Sequence, residues 1–432
     1  MATQITITDL YERFATCTGT STDTRTIGKD SMFFALKGPN FDANAFAHEA
    51  LEKGARYAVV DDPALVLDER YLLVPDVLVA LQQLATHHRR KFSIPVIGIT
   101  GTNGKTTTKE LVHAVLSADR PTLATSGNLN NHIGVPLTLL RMNAEHRIAI
   151  IEMGANKQGD IAELTAIAEP THGLITNIGR AHLEGFGSYE GVIAAKSEMY
   201  THLGAHGGTV FVNMDDPLLM VKSSGLTRVT YGNSEGADSR GNPVPGDEPY
   251  MELVFDDRDR PGHFHVTTKL IGDYNAPNAL VAVAVGRHFG VSDDVIAGSL
   301  ADYTPSNNRS QFTDTGRNQL VLDAYNANPT SMASALENFA AMRSERPKLV
   351  ILGDMLELGT ESEKDHKAIV ELVSKLKLKA FFIGKEFAKA TSVALPTASA
   401  LIERMSTEPI NGKLILVKGS RGIKLETVVP NL

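Results

Sequence analysis

Residues 96–106 read Val-Ile-Gly-Ile-Thr-Gly-Thr-Asn-Gly-Lys-Thr, and the prediction of the fold starts from this stretch. Its first five residues form an apolar run with the length of a buried strand, and a helical pattern begins at Lys105. Between strand and helix, Gly101 and Gly104 allow backbone N–H groups to curl around phosphate oxygens, and the helix N-terminus adds a favourable partial charge. We therefore predict a strand, a phosphate-binding loop and a helix at the centre of a nucleotide-binding domain.

The residues of this loop match the chemistry of a nucleoside triphosphate. Lys105 supplies a full positive charge, and Thr106 supplies a hydroxyl group that can coordinate Mg²⁺. The usual Gly-x4-Gly-Lys-[Ser/Thr] pattern is incomplete, because Ile99 stands where its first glycine is expected. A plain glycine turn is the alternative, but the preceding strand and the following helix favour phosphate binding. We predict an ATP-consuming enzyme that holds the nucleotide on residues 101–106.

Apolar runs on both sides of the loop alternate with helical patterns. This alternation is typical of an α/β fold with a parallel sheet. Strands are predicted at residues 31–36, 57–60, 96–100, 148–153, 172–178, 208–213, 263–270, 320–323, 348–352, 380–383 and 413–417. Residues 234–260 are rich in Gly, Pro and Asp and are predicted to form a surface excursion.

The chain length of 432 residues predicts two to four domains, and three fit the pattern best. A small α/β domain is expected over residues 1–92. A central domain with a P-loop mononucleotide-binding parallel sheet is expected over residues 93–302. A Rossmann-like C-terminal domain is expected over residues 303–432.

Composition narrows the class of protein. The formal net charge of −8 argues against nucleic acid as the main partner, because proteins that bind its phosphates are usually basic. A single cysteine, Cys17, cannot form an internal disulfide and is expected to be structural. The N-terminal residues do not resemble a signal peptide, and no apolar run approaches the roughly 20 residues of a membrane span. We expect a cytoplasmic protein.

Three further residues are candidates for a phosphoryl-transfer site, because ligands collect where the strands of a parallel sheet end. Glu152 closes an apolar strand and is a candidate Mg²⁺ ligand, since Mg²⁺ prefers carboxylate and hydroxyl oxygens. His182 follows the strand at 172–178 and is either a structural histidine or a metal or phosphate contact. Lys196 lies on a predicted helix, where a surface lysine is the interpretation that the residues alone favour.

Taken together, these motifs resemble the Mur ligase family, the ATP-dependent amide-forming enzymes of peptidoglycan synthesis. The matching segments are residues 100–107, 127–136, 152–154, 177–188 and 275–280, and the likeness runs through nearly the whole chain. Within the family, residues 323–329 and 352–359 look like the members that add D-alanyl-D-alanine. The Asp-Asn-Pro-Arg segment of the members that add diaminopimelate or lysine is absent. Residues 42–44 read Asp-Ala-Asn, where relatives often have Asp-Gly-His.

The resemblance implies roles for individual residues. ATP would be bound by Gly101, Thr102, Asn103, Gly104, Lys105, Thr106, Thr107, Asn275, Asn278, Arg309 and Asp323. Metal ligands would be Thr106, Glu152 and His182, and the catalytic residues would be Lys105, His182 and a Lys196 that is carbamylated by CO2. The other substrates would be bound by Ser21, Thr22, Asp23, Arg25, Asn128, Asn130, Asn131, Asn326, Asn328, Lys418 and Ser420, with Arg421 beside them.

The implied reaction joins D-Ala-D-Ala to UDP-N-acetylmuramoyl-tripeptide through an acyl phosphate, with ATP and two Mg²⁺ ions, and gives the pentapeptide precursor of peptidoglycan. A monomer without a membrane span or a nucleic-acid partner is expected. Two alternatives stay open. One is another Mur ligase or a folylpolyglutamate synthase-like amide ligase, and the other is a P-loop nucleotide switch without ligase activity.

Overall fold

The computed structural model describes residues 3–181, 183–245, 249–257, 261–306 and 309–432. Three larger β-sheets, of four, nine and five strands, follow one another along these residues, with helices between their strands, and a two-stranded sheet accompanies the first. The predicted α/β fold is confirmed, and the sheet that contains residues 96–100 is mostly parallel. No helix in the described ranges is long and apolar enough to cross a membrane.

The first sheet is small and lies before Pro95. Its elements are α1 (Ile7–Phe14), β1 (Thr20–Ser21), β2 (Met32–Phe34), β3 (Lys37–Gly38), β4 (Phe41–Asp42), α2 (Ala47–Glu52), β5 (Tyr57–Val60), β6 (Tyr71–Leu73) and α3 (Val77–Arg89). The strands β1, β2, β5 and β6 pair in that order and are parallel, whereas β3 and β4 form a separate antiparallel hairpin.

The second sheet has nine strands and carries the phosphate loop. Its elements are β7 (Val96–Thr100), α4 (Lys105–Ser117), β8 (Thr122–Ala124), α5 (Gly134–Leu139), β9 (Ile148–Glu152), α6 (Asp160–Ala168), β10 (His172–Ile175), α7 (Leu183–Phe186), α8 (Tyr189–Ala205), β11 (Thr209–Asn213), α9 (Pro217–Lys222), β12 (Thr227–Gly232), β13 (Ser239–Val244), β14 (Glu252–Asp256), β15 (His263–Thr267), α10 (Ala276–His288) and α11 (Asp293–Asp302). The strand order is β15-β14-β13-β12-β11-β10-β7-β9-β8. Strands β13 to β8 pair in parallel, and β14 and β15 extend the edge in antiparallel fashion.

The prediction of a surface excursion over residues 234–260 was wrong for the two parts of the segment that form strands, residues 239–244 and 252–256. Strands β13 and β14 lie within it, and the side chains of Leu253 and Phe255 are fully buried. Phe255 stacks on Phe264 of the next strand, with ring centroids 5.2 Å apart. The Gly and Pro content suggested a loop, but alternating apolar residues on a sheet edge outweighed it. Residues 246–248 and 258–260 lie outside the described residues.

The third sheet has five strands. Its elements are β16 (Gln311–Asp314), β17 (Gln319–Asp323), α12 (Pro329–Ala341), β18 (Lys348–Gly353), α13 (Ser362–Lys375), β19 (Lys379–Ile383), α14 (Lys385–Ala390), α15 (Ala398–Thr407) and β20 (Leu414–Lys418). The strand order is β16-β17-β20-β18-β19, and every pair is parallel except β16 with β17. The carboxyl ends of β17 and β20 border the same cavity as those of β9 and β11 in the second sheet.

Candidate active site

A cavity of about 1250 Å³ lies between the second and third sheets. The phosphate loop and Glu152 line one side, and residues that follow β17 and β20 line the other. Leu78, on helix α3, also borders it. Residues from all three sheet regions therefore meet in one space, at the strand ends where α/β proteins bind ligands.

The two glycines of the phosphate loop have backbone conformations that other residues adopt rarely. Gly101 has φ of +144°, and a Cβ atom there would lie 1.9 Å from the Thr176 hydroxyl. Gly104 has φ of +78°, and a Cβ atom there would lie 2.6 Å from Asn278 Oδ1. Gly104 precedes α4 and provides no side-chain cap. The first backbone N–H groups of α4 can therefore face a phosphate.

A second loop, residues 176–179, braces the phosphate loop. The side chain of Asn177 accepts the backbone N–H of Asn103 at 3.0 Å and donates to the Asn103 carbonyl at 3.0 Å. The Thr176 hydroxyl donates to the same carbonyl at 2.6 Å, and the N–H of Thr102 donates to the Asn177 carbonyl. The strand predicted at 172–178 ends at Ile175 for this reason, because the following residues bond to the loop instead of a strand.

Lys105 folds back over the phosphate loop. Its Nζ donates to the carbonyl of Gly101 at 2.8 Å and to that of Thr102 at 3.1 Å. Burial lowers the pKa of Lys105, the nearby Glu152 carboxylate opposes this shift, and the charge of Arg309 adds to it. The ammonium group stands beside the open end of α4, where the loop can present it to phosphate oxygens.

Glu152 ends β9 and is buried beside the loop. Its Oε1 accepts hydrogen bonds from the Thr106 hydroxyl at 3.2 Å and from the Asn130 amide at 2.8 Å. Its Oε2 is buried and has no hydrogen-bond partner among the residues described. A buried carboxylate oxygen without a donor, next to a hydroxyl, fits a hard cation such as Mg²⁺. The described ranges hold no cluster of three or more His, Cys, Asp or Glu side chains suited to a metal. The predicted ligand His182 lies outside the described residues.

Lys196 lies on α8 and is only 3% exposed, so the interpretation as a surface lysine was wrong. Its Nζ lies 5.6 Å from the centroid of the Phe186 ring. Burial, together with the charge of Lys105, lowers the pKa of Lys196 to about 7, although the carboxylates of Asp160 and Glu198 oppose the shift. In a large fraction of the protein molecules, Lys196 is therefore a neutral amine near pH 7.

Asn275 and Asn278 form a connected pair at the start of α10. The Asn278 amide donates to Asn275 Oδ1 at 3.0 Å, and its own Oδ1 accepts from the Thr108 hydroxyl at 3.0 Å. Both residues line the cavity beside the phosphate loop. The pair is fixed to the third-sheet region, because the Asn275 amide also donates to the Ser310 hydroxyl at 3.3 Å.

The opposite side of the cavity carries a cluster of cationic and aromatic side chains. The Arg309 guanidinium lies 3.7 Å from the ring centroid of Tyr325, and the Arg421 guanidinium lies 5.4 Å from it. Lys418 is buried and pairs with the Asp323 carboxylate at 2.5 Å. All five residues line the cavity. This wall therefore presents positive charge to an anionic ligand.

The predicted substrate-binding residues separate into two groups. Asn128, Asn130, Asn131, Asn326 and Lys418 line the cavity, and Asn328 contacts the phosphate loop beside it. Ser21, Thr22, Asp23 and Arg25 do not belong to its lining, and Arg25 forms an exposed ion pair with Asp23 at 2.6 Å.

Ser420, another predicted substrate-binding residue, makes hydrogen bonds within the C-terminal region. Its hydroxyl accepts the Leu356 N–H at 3.0 Å and donates to the Ala327 carbonyl at 3.4 Å. It is not among the residues that line the cavity. Its side chain therefore joins loops of the C-terminal region.

Several residues of the cavity were missed from the sequence. Asn213 is the last residue of β11 and Asp216 follows it, and both line the cavity at the same edge of the sheet as Glu152. The rule that identified Glu152, a polar residue at the end of an apolar strand, identifies them as well. Tyr325 and Glu357 also line it, and both lie in the segments 323–329 and 352–359 that carry the resemblance, although no role was predicted for either residue.

Comparison with known proteins decides the family. Residues 99–286 match the model of the Mur ligase middle domain, and residues 308–421 match that of the Mur ligase, glutamate ligase domain. The UDP-N-acetylmuramoyl-tripeptide–D-alanyl-D-alanine ligase of Bacillus subtilis (strain 168) is 36% identical over 430 residues, which are 96% of this chain and 93% of the relative. The chain belongs to the Mur ligase family.

Solved Mur ligase structures match the whole fold. A crystal structure of MurF from Acinetobacter baumannii has a TM-score of 0.87 and 30% identity, and the match covers 99% of this chain and 98% of that one. MurF ligase from Thermotoga maritima in complex with ADP has a TM-score of 0.85 and 27% identity, covering 96% and 97% of the two chains. The three-sheet arrangement is therefore that of a Mur ligase along nearly its full length.

Proposed function

We propose that this protein is an ATP-dependent ligase that joins D-Ala-D-Ala to UDP-N-acetylmuramoyl-tripeptide and so forms the pentapeptide precursor of peptidoglycan. One observation carries the proposal: a single cavity is shared by the phosphate loop, the Glu152 carboxylate and the cationic wall of the third sheet. A nucleotide, a carboxylate substrate and an amine can meet there. The near full-length similarity to ligases with this activity supports the choice of substrates.

The first step activates the terminal carboxylate of the tripeptide. A carboxylate oxygen attacks the γ-phosphorus of ATP, the bond from that phosphorus to the β,γ-bridging oxygen breaks, and an acyl phosphate and ADP result. The N–H groups at the start of α4 and the Lys105 ammonium bind the phosphate oxygens and stabilise the transferred charge. Asn275, Asn278, Arg309 and Asp323 are proposed to bind the rest of the nucleotide, together with Thr107.

Thr106 and Glu152 are the residues that would hold Mg²⁺, because both line the cavity, the Thr106 hydroxyl contacts one Glu152 oxygen, and the other oxygen has no hydrogen-bond partner among the residues described. Bound Mg²⁺ supplies neutralisation of phosphate charge and alignment of the γ-phosphate. The second ion and the role of His182 remain predictions. Asn130 holds the Glu152 carboxylate by a hydrogen bond and so fixes where the free oxygen points.

Lys196 is proposed to carry a carbamate. A neutral amine adds to CO2 to give a carbamic acid, which loses a proton and becomes an anion. The pKa of about 7 supports this reaction, because a buried ammonium near Lys105 is disfavoured and the neutral amine is the reactive form. The modification would replace a repelled cation by an anion that the Lys105 charge attracts.

The second step forms the amide. The neutral amine of D-Ala-D-Ala attacks the acyl carbon, a C–N bond forms, the C–O bond to phosphate breaks, and the proton lost by nitrogen leaves with the phosphate. Water must be excluded, since it would hydrolyse the acyl phosphate. The hydrogen bonds that join Asn103 to Asn328 hold the third sheet against the phosphate loop and support such closure.

The remaining assignments follow from the same proposal. Residues 1–92 would bind the UDP-sugar through Ser21, Thr22, Asp23 and Arg25, residues 93–302 would bind ATP, and residues 303–432 would bind the amine. The asparagines at 128, 130 and 131 would contact the peptide side of that substrate. We propose that the enzyme works in the cytoplasm as a monomer.

The decisive experiment measures ADP and phosphate release while each substrate is omitted in turn. We expect turnover only when ATP, UDP-N-acetylmuramoyl-tripeptide and D-Ala-D-Ala are all present, with a product of the mass of the pentapeptide. Equal turnover with a single amino acid would refute the choice of acceptor and favour a related amide ligase. ADP release that does not respond to any amine would favour a nucleotide switch.

A further inference from the structure

Glu357 is a cavity residue to which the mechanism above gives no role. It lies between β18 and α13, in the loop of residues 354–361, and it lines the cavity. Its φ angle is +64°, in the left-handed region that a glutamate adopts rarely. Such conformations persist where the surrounding structure imposes them, and they are frequent at ligand sites. The backbone at this residue is therefore held by the surrounding fold.

The fold holds this backbone through Ser420. The Ser420 hydroxyl accepts the N–H of Leu356, the residue before Glu357, and the Ser420 N–H donates to the Asp354 carbonyl at 3.1 Å. The residue after Ser420 is Arg421. Glu357 follows Leu356 in the sequence and Arg421 follows Ser420, so each is adjacent to one partner of this hydrogen bond. Both also line the cavity. The Glu357 carboxylate and the Arg421 guanidinium therefore belong to neighbouring loops on the third-sheet side of the cavity, called the acceptor wall below.

The chemistry of the acceptor matches this arrangement. D-Ala-D-Ala is a zwitterion, with an ammonium at one end and a carboxylate at the other. A guanidinium binds a carboxylate through two parallel hydrogen bonds, and a carboxylate is the strongest side-chain acceptor for an ammonium. A wall with cations alone would bind the carboxylate and repel the end that has to react.

We propose that Glu357 binds the amino group of the acceptor dipeptide while Arg421 binds its carboxylate. The inference rests on the proposed function and names the part of the site that receives the amine. Ser420 acts as a positioning residue, because it touches neither charge and fixes the loops that carry them. Glu357 thereby selects acceptors with a free amino group at the correct distance from a carboxylate.

The test compares Glu357→Gln, which removes the charge at constant length, with Glu357→Asp, which keeps the charge and tolerates the left-handed backbone. Glu371→Gln, at an exposed position of α13, is the control for loss of one negative charge. We expect Glu357→Gln to raise the KM for D-Ala-D-Ala by about 10- to 100-fold, the range for a lost hydrogen bond to a charged group. The KM values for ATP and for the UDP-substrate should change by less than about twofold. Glu357→Asp should recover part of the loss.

N-propionyl-D-alanine, which is D-Ala-D-Ala without its amino group, separates binding of the amine from support of the loop. Its inhibition constant should be the same for wild type and Glu357→Gln, because it lacks the group that Glu357 binds. A parallel rise of this constant and of the KM for D-Ala-D-Ala would overturn the proposal, as would an unchanged KM. If Glu357→Gln does not fold, Glu357→Asp and Glu357→Asn make the same comparison in residues that suit the backbone. A wild-type enzyme that does not use D-Ala-D-Ala would instead refute the proposed function.

Discussion

Asn103 of the phosphate loop and Asn328 at the start of α12 exchange hydrogen bonds through their side-chain amides. The Asn328 amide donates to Asn103 Oδ1 at 2.6 Å, and the Asn103 amide donates to Asn328 Oδ1 at 3.5 Å. The two residues are 225 positions apart, in the loops that follow β7 of the second sheet and β17 of the third sheet. Each is also fixed locally, Asn103 by Asn177 and Asn328 as the cap of α12. The amide pair therefore connects nucleotide binding to the position of the acceptor wall.

The first prediction concerns this pair. Asn103→Ala and Asn328→Ala should each lower kcat/KM by about 5- to 10-fold, because each removes a hydrogen-bonded contact of roughly 1 kcal/mol. The double variant should be little worse than either single one, since both remove the same interaction. Steady-state kinetics with all substrates measures this cycle. Effects that multiply would mean that the two side chains act independently.

Lys105 gives the second prediction. Lys105→Ala should lower kcat by about 100-fold or more, because it removes the ammonium from the transferred phosphate. Lys222→Ala, at the exposed end of α9, should leave kcat unchanged. Normal turnover by Lys105→Ala would refute the assignment of the phosphate loop.

The third prediction concerns the proposed carbamate on Lys196. Lys196→Ala should be inactive, and a short carboxylate such as acetate should restore part of the activity by occupying the vacated space. Lys105→Ala serves as the comparison, because no anion can replace its positive charge. The wild-type protein in ¹³CO2-enriched buffer should give a carbamate signal in the ¹³C NMR spectrum that Lys196→Ala lacks. Failure of every carboxylate to restore activity, together with no such signal, would contradict the modification.

The fourth prediction is a pH dependence of stability. The pKa of Lys196 is lowered to about 7 in the folded protein and is about 10.4 in an unfolded chain. Between these values the unfolded chain binds more protons, so the wild-type free energy of unfolding rises with pH, by up to about 1.4 kcal/mol per unit from this residue. Lys196→Met lacks this contribution.

Urea unfolding in CO2-free buffer tests the sign. The stability advantage of Lys196→Met should be largest at pH 7 and should shrink as the pH approaches 10. A difference that is independent of pH would mean that Lys196 titrates normally in the folded state. Lys222→Met, at an exposed site, should show no pH-dependent difference.

The sequence predicted the parts of the site that one local pattern defines. The glycine loop after an apolar strand and Glu152 at the end of another strand both lie at the cavity. Lys196 could not be placed from the residues alone, because polar and small residues surround it on α8 and its burial depends on packing against other elements. The contact of Asn103 with Asn328 could not be predicted from the sequence either, since it depends on how two sheets face each other.

The antiparallel edge of the second sheet shows a different limit of prediction from the sequence. Glycine and proline usually interrupt strands, so residues 234–260 were predicted as irregular. The buried Leu253 and Phe255 instead pack into the core of the second sheet. Whether such a segment pairs with a sheet is decided by the neighbouring strand, which a local pattern does not describe.

The two walls of the cavity come from separate sheets, each with its own hydrophobic core. Substitutions in the loops after β18 and β20 therefore leave the nucleotide loop and its bracing residues untouched, whereas the loop after β17 carries Asn328, which contacts Asn103. One nucleotide-binding site can in this way be combined with different loops that bind the acceptor amine. Exchange of these few loops is the economical route by which evolution, or an engineer, would redirect the enzyme to another amine.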